Sequence, residues 1–231
     1  MSAQGSEGSK PPIIPKFNYR IVADLAHELR TPVGGIMGMN ELLLMQLNEP
    51  EEQMFAQSID SSSRTLLAML IDIVDLAKLE NESVPLVLKP LSIDDLVDYC
   101  KFTLTPLLVA EGTDLEIVHD GGHSRQLEGD LGRIKQLICC LVLAAYKYTG
   151  SGTITLKAKV EPSTVKLSVQ LPPNTVPRDG KFIFSQLENQ NCDTKRFDMT
   201  WVRLRLATRL MELMNAKFKV ENKEVVIELP L

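Results

Sequence analysis

His27-Glu28-Leu29-Arg30-Thr31-Pro32 lies inside a stretch, residues 16–48, that is almost free of strand signals. Around it Ile21, Leu25, Leu29, Ile36, Leu43 and Leu47 recur at steps of three to four residues or multiples of them, the period of an amphipathic helix. Arg20, Asp24, His27 and Thr31 fall at spacings of four, three and four, so they share a polar stripe opposite the apolar one. His27 is therefore expected to face solvent. An exposed imidazole beside a carboxylate suits nucleophilic attack on phosphorus, for which one ring nitrogen must be neutral and the other N–H held by an acceptor. Glu28 is the natural acceptor or base. Pro32 lacks a backbone N–H and Gly34 and Gly35 lower helix propensity, so the helix is expected to bend or loosen one turn past the histidine.

Outward from this helix, Asn48-Glu49-Pro50 reads as a break. Phe55, Ile59, Leu66, Leu70, Ile73 and Ala77 mark a second helix ending near Asn81. Two helices joined by a short turn make an antiparallel hairpin over residues 16–88, whose apolar stripe is too large to leave in water. Pairing two hairpins into a four-helix bundle would bury it, so the chain is expected to be a homodimer.

From Pro90 the pattern changes to mixed helices and strands, and residues 89–231 read as a second domain. A helix is predicted over Leu91 to Ala110, opened by Ser92, with a strand at Leu115 to His119. A helix from Asp130 to Tyr148 follows, then strands at Thr153 to Val160 and Val165 to Leu171 around a Glu161-Pro162-Ser163 turn. The chain ends with a helix from Met199 to Met214 and strands at Lys217 to Val220 and Val225 to Leu229. The fold class is thus a helical hairpin followed by an α/β sandwich, with helices on one face of a mixed sheet.

Composition narrows the function classes. The 231 residues carry 44% hydrophobic side chains and a net charge of −5. No apolar run reaches the roughly 18 to 20 residues needed to cross a bilayer, and residues 1–15 read as a tail or linker without the apolar heart of a signal peptide. A cytoplasmic segment without membrane contact is expected, and an upstream sensor remains possible. The mild acidity and the lack of a Lys and Arg stripe argue against nucleic acid and favour a basic partner surface. Cys100, Cys139, Cys140 and Cys192 show neither CxxC spacing nor a nearby His pair, so they read as reduced, mostly buried thiols. His119 and His123 flank Gly121-Gly122 and read as solvated rather than metal-binding. Met37, Met39, Met45, Met211 and Met214 read as adaptable packing. Asp193, Lys195, Arg196 and Asp198 form a mixed-charge loop to which no chemistry is assigned.

His27 to Pro32, with the hairpin and the α/β domain after it, resembles the H-box of two-component sensor histidine kinases, from about residue 17 to the end of the chain. The resemblance implies that His27 carries a phosphoryl group and that Glu28 assists its transfer. It also implies that Thr31, four residues on, stands where the family orients water for phosphatase action on a receiver domain.

The likeness continues in Asp130, Arg133, Gln136 and Lys147-Tyr148-Thr149, which resemble the helix carrying the family's nucleotide box. Where that box places two asparagines for magnesium and phosphate, this chain has Cys140 and Ala144, neither a hard oxygen ligand. Where an Asp and glycines would receive adenine, it has Leu171, Pro173 and Thr175 after Leu167-Ser168-Val169. Trp201-Val202-Arg203-Leu204 replaces the glycine-rich turn before the last long helix. Phe182-Ile183-Phe184 and Arg209 to Met214 still resemble the lid-flanking segment and final helix.

The combined losses argue against productive ATP binding, because recognition needs convergent polar groups. The favoured expectation is a histidine phosphotransferase in a phosphorelay, with His27, Glu28 and Thr31 as catalytic residues and Arg20, Asp24, Arg30, Met37 and Glu41 as partner-docking residues. No cofactor or metal is expected on this chain, and Mg²⁺ would come with the receiver domain of a response regulator. The alternatives are a non-catalytic pseudokinase that binds a partner histidine kinase or a receiver and, ranked last, an ATP-dependent histidine kinase.

Overall fold

The computed structural model of the protein describes residues 19–81, 84–120, 127–177, 181–188 and 198–230. Residues 1–18, His123, Cys192, Asp193, Lys195 and Arg196 lie outside them, and so do the expectations placed there.

Helix α1 (Tyr19–Leu44) and helix α2 (Pro50–Asn81) form the antiparallel hairpin. α1 runs unbroken through Pro32, contrary to the loosening expected from the sequence. Proline removes one intrahelical bond there, and Val33, buried directly after it, anchors the turn. Pro50 opens α2 at a position where a missing N–H costs nothing, with Glu51 and Glu52 in the first turn complementing the helix dipole.

The seam between the two helices uses small residues. Ala26, Val33 and Asn40 on α1 are buried at steps of seven, against Ala56, Ser63 and Ala77 on α2. Asn40 donates through Nδ2 to the carbonyl of Ala56 at 2.8 Å, which fixes the register of the pair. The larger apolar residues picked out by periodicity lie elsewhere. Ile21, Leu25, Leu29, Ile36 and Leu43 on α1, and Phe55, Ile59 and Leu66 on α2, all stay exposed within one chain.

The linker is tied down from Val87 onward. Strand β1 (Lys89–Leu91) follows, then a helical segment in three pieces: α3 (Ile93–Tyr99), a π-helical turn (Cys100–Leu104) and α4 (Thr105–Val109). The single helix predicted over 91–110 therefore starts two residues later, and Leu91 belongs to a strand. Ser92 holds the N-cap position with extended backbone but makes no capping bond through its side chain. The π turn lies where Pro106 cannot supply its amide to the preceding turn, and the Thr105 hydroxyl donates to the Cys100 carbonyl at 3.3 Å.

Strand β2 (Thr113–His119), strand β3 (Leu127–Gly129), helix α5 (Leu131–Thr149) and strands β4 (Gly152–Val160) and β5 (Thr164–Gln170) come next. A short 3₁₀ turn (Ile183–Gln186), helix α6 (Met199–Leu213) and strands β6 (Lys217–Glu221) and β7 (Glu224–Pro230) complete the chain. His119 is the last residue of β2, where the predicted strand ends, and its Nδ1 is buried without a partner among the described residues instead of being solvated.

The main sheet has the order β2-β4-β5-β7-β6, parallel between β2 and β4 and antiparallel elsewhere. β1 pairs with β3 in a separate two-stranded ribbon. Alternation along the strands turns Ile154, Leu156, Val165, Leu167, Val225 and Ile227 inward and lysines and glutamates outward. α5 packs beneath this sheet and beside α6. α5 is delimited by Asp130, whose Oδ1 accepts from the Arg133 amide at 3.1 Å, and by Gly150 in the left-handed conformation. α6 starts at Asp198, whose Oδ1 accepts from the Trp201 amide at 2.8 Å. Trp201 to Leu204 are consequently helical, within the helix expected from Met199, where the resemblance has them replacing a glycine-rich turn. No helix of the described residues is long and apolar enough to cross a membrane.

Candidate functional site

His27 projects from the middle of α1 with an exposed side chain, as the polar stripe predicts. Asp24, Glu28, Arg30 and Thr31 around it are exposed as well. Thr31 lies one turn on, over the same face, whereas Glu28 is rotated about 100° around the axis by helical geometry. Neither His27 nor Glu28 makes a hydrogen bond or ion pair among the described residues. The imidazole is thus open to an incoming group, and an acceptor for its second nitrogen has to come from a side-chain movement or from a partner.

Of the predicted docking residues, Met37 is half-buried and Glu41 is exposed, 3.9 Å from Arg64 of α2. Such a long pair between exposed side chains contributes little to stability and leaves Glu41 available. Arg20 belongs to α1, but its side chain is outside the description.

The second domain presents the opposite situation at the positions matching the nucleotide box. Cys140 and Ala144 are on the inner face of α5, with almost no exposed surface, and Leu171 follows β5 into the same core. Val202 of α6, Ile183 and Phe184 complete that packing. These side chains offer no oxygen donors to magnesium and no carboxylate to adenine, so the residues present do not fit a magnesium nucleotide held in the manner of the family.

The thiols share this closed environment. Burial pushes the Cys100 thiol up to about 12 and Cys139 up to about 11, and holds Cys140 well above the usual thiol range. All three are therefore protonated near neutrality and inert as nucleophiles or metal ligands. No cluster of His, Cys, Asp and Glu suited to a metal occurs among the described residues.

Asp130, Arg133 and Gln136, which the sequence matched to the nucleotide-box helix, have structural partners here. Asp130 accepts through its second oxygen from the Val87 amide at 2.9 Å, and Arg133 donates to Gln136 at 2.8 Å. Gln136 in turn donates to Asp75 of α2 at 2.6 Å. Sequence reasoning missed Asp72, Asp75 and Glu80 and their partners Arg203 and Arg205. The available signal was an acidic stripe beside the apolar end of α2.

A helical hairpin with an exposed histidine, followed by a mixed α/β sheet domain, is the architecture of a phospho-acceptor module joined to an ATPase-type domain. Residues 18–82 match the family model of the His Kinase A phospho-acceptor domain. The hybrid signal transduction histidine kinase A of Dictyostelium discoideum is 31% identical over 150 residues, 64% of this chain and 7% of that protein. The sensor histidine kinase GacS of Pseudomonas protegens is 27% identical over 216 residues, 90% of this chain and 23% of that protein. The chain thus spans at most about a quarter of these relatives.

Among solved structures, full-length ShkA in complex with AMPPNP superposes with a TM-score of 0.65 at 23% identity, covering 91% of this chain and 45% of that one. The Acinetobacter baumannii histidine kinase AdeS gives 0.56 at 19% identity, over 88% and 97%. At those identities the structures speak for the fold. Residues 18–82 thus carry the His Kinase A phospho-acceptor pattern, and over most of its length the chain is similar to two-component sensor histidine kinases.

Proposed function

We propose that the chain works in a phosphorelay as a histidine phosphotransferase, with His27 loaded from a receiver-domain phospho-aspartate rather than from ATP. The observation carrying this reading is the contrast between an open His27 on α1 and the closed packing of Cys140, Ala144 and Leu171. In the transfer, the lone pair of a neutral ring nitrogen attacks phosphorus. The bond from phosphorus to the aspartyl oxygen breaks, and its electron pair returns to the carboxylate. The positive charge left on the imidazole is relieved at its other N–H, the role given to Glu28, while Thr31 would orient water for hydrolysis. Magnesium belongs to the receiver in this scheme, so this chain supplies position and docking.

The chain would act as a homodimer, since the exposed apolar residues of both hairpin helices need a second copy to cover them. Arg20, Asp24, Arg30, Met37 and Glu41 would meet the receiver. An ATP-dependent autokinase is the second reading, favoured by relatives that bear the name sensor histidine kinase.

The deciding experiment incubates the full chain separately with a phosphorylated receiver and with radiolabelled ATP. Acid-labile, base-stable label arriving only from the receiver, and lost in His27→Ala, is the expected result. Label arriving from ATP establishes the autokinase. Tight receiver binding without any transfer leaves a non-catalytic pseudokinase.

A further inference from the structure

The end of α2 belongs to two bodies at once. Leu76 is buried within the contiguous core of the second domain, and Ile73 and Leu79 pack against that core. Around this apolar centre α2 presents acids to α6 and α5. Asp72 accepts from Arg203 Nε at 3.2 Å, and Glu80 accepts from Arg205 Nε at 2.8 Å. Asp75 accepts from Gln136 at 2.6 Å. The paired side chains keep only 10 to 19% of their surface exposed. They are held out of water, where losing one partner strands the other charge.

Burial by itself pushes the Asp72 carboxyl up, and Arg203 opposes that, as expected of a desolvated pair. The linker is held too, by the Val87 amide on Asp130 and by the pairing of β1 with β3.

We infer that Asp72, Asp75 and Glu80 on α2, with Arg203, Arg205 and Gln136 on the second domain, form a clamp that fixes the two domains in a single pose. Arg203 occupies the stretch that the resemblance matched to the phosphate-binding turn, so that segment contacts the hairpin instead of a nucleotide. Counting along the antiparallel helices from the Asn40 to Ala56 bond places His27 level with Met69. Asp72 then lies about 4.5 Å further along the axis, a rise of three residues. The Asp72 end of the clamp accordingly grips the hairpin within one turn of the level of His27, and Asp75 and Glu80 continue it about 9 and 16 Å along the axis from that level. The second domain is a fixed wall beside that level, where a swinging domain would sweep past it.

The test measures the distance between spin labels at Ser61→Cys on α2 and Lys159→Cys on β4, both exposed, in full-length chain diluted into unlabelled chain. A single narrow distribution is expected for the otherwise unaltered protein. Arg203→Glu with Arg205→Glu should broaden it, and adding Asp72→Arg with Glu80→Arg should narrow it again. A broad distribution in the unaltered chain overturns the inference and needs no variant that folds poorly. A distribution that stays narrow after the double reversal, or stays broad after the charge swap, also overturns it.

Discussion

The hairpin and the second domain bury their apolar residues in opposite ways. On α1 and α2 the contact within one chain uses Ala26, Val33, Ala56 and Ser63, while Leu25 and Ile36 remain 57% and 52% exposed. In the second domain Leu137, Leu141, Leu167, Leu206 and Ile227 are all 0% exposed around α5 and the sheet. The hairpin keeps its large side chains for a surface outside the chain, and the second domain spends them on filling its own interior. One region is built to be completed by another molecule, and the other is completed within the chain, with Leu76 of α2 closing its core.

The strongest way to break that contrast is to restore asparagines to the closed region. Cys140→Asn with Ala144→Asn inserts two amides without partners into a full core. It should cost roughly 2 to 6 kcal/mol, from about 1 to 3 for each unsatisfied group. Urea unfolding measures this, and stabilisation of the double variant by millimolar ATP would show that the interior had room for a nucleotide. On the hairpin, Leu25→Ser with Ile36→Ser should weaken self-association about 100-fold, equivalent to roughly 3 kcal/mol of lost burial. Sedimentation equilibrium reads it. The monomer should keep its stability within about 0.5 kcal/mol, since both sites are exposed within the chain.

The smallest effect concerns the thiols. Cys100 and Cys139 are raised from an ordinary 9.0 to about 12 and about 11 in the folded chain. The unfolded chain therefore releases these protons first as pH rises. Their contribution to stability is complete below pH 9 and is lost as pH climbs toward about 11 for Cys139 and about 12 for Cys100. Urea midpoints at pH 7.5 and 10.5 should differ in the native chain, and differ less in Cys100→Ala with Cys139→Ala.

Periodicity was enough for the hairpin and for most strands of the second domain, because Leu115, Ile154 and Val225 lie on elements whose faces are unequal. It misplaced Leu91, where a short ribbon with β3 outcompetes the helix that Ser92 seemed to open. It also drew attention to the large residues of α1 rather than to the seam at Ala26, Val33 and Asn40, since small side chains carry little weight in an apolar pattern. The outward direction of His27 was legible from its stripe. The link from Asp72 to Arg203 was not, because it joins residues 131 positions apart and the acidic stripe on α2 does not by itself name its partner.

Leu76 has one further consequence, for the modularity of the chain. A cut at the linker near residue 84 looks like a boundary between domains, yet it would split a core whose wall is contributed by the hairpin. The isolated second domain would display the socket that Leu76 fills, and a hairpin grafted from a relative would bring its own side chain to a cavity shaped for this leucine. The heritable unit in this protein is the pair of domains, joined through the last three turns of α2.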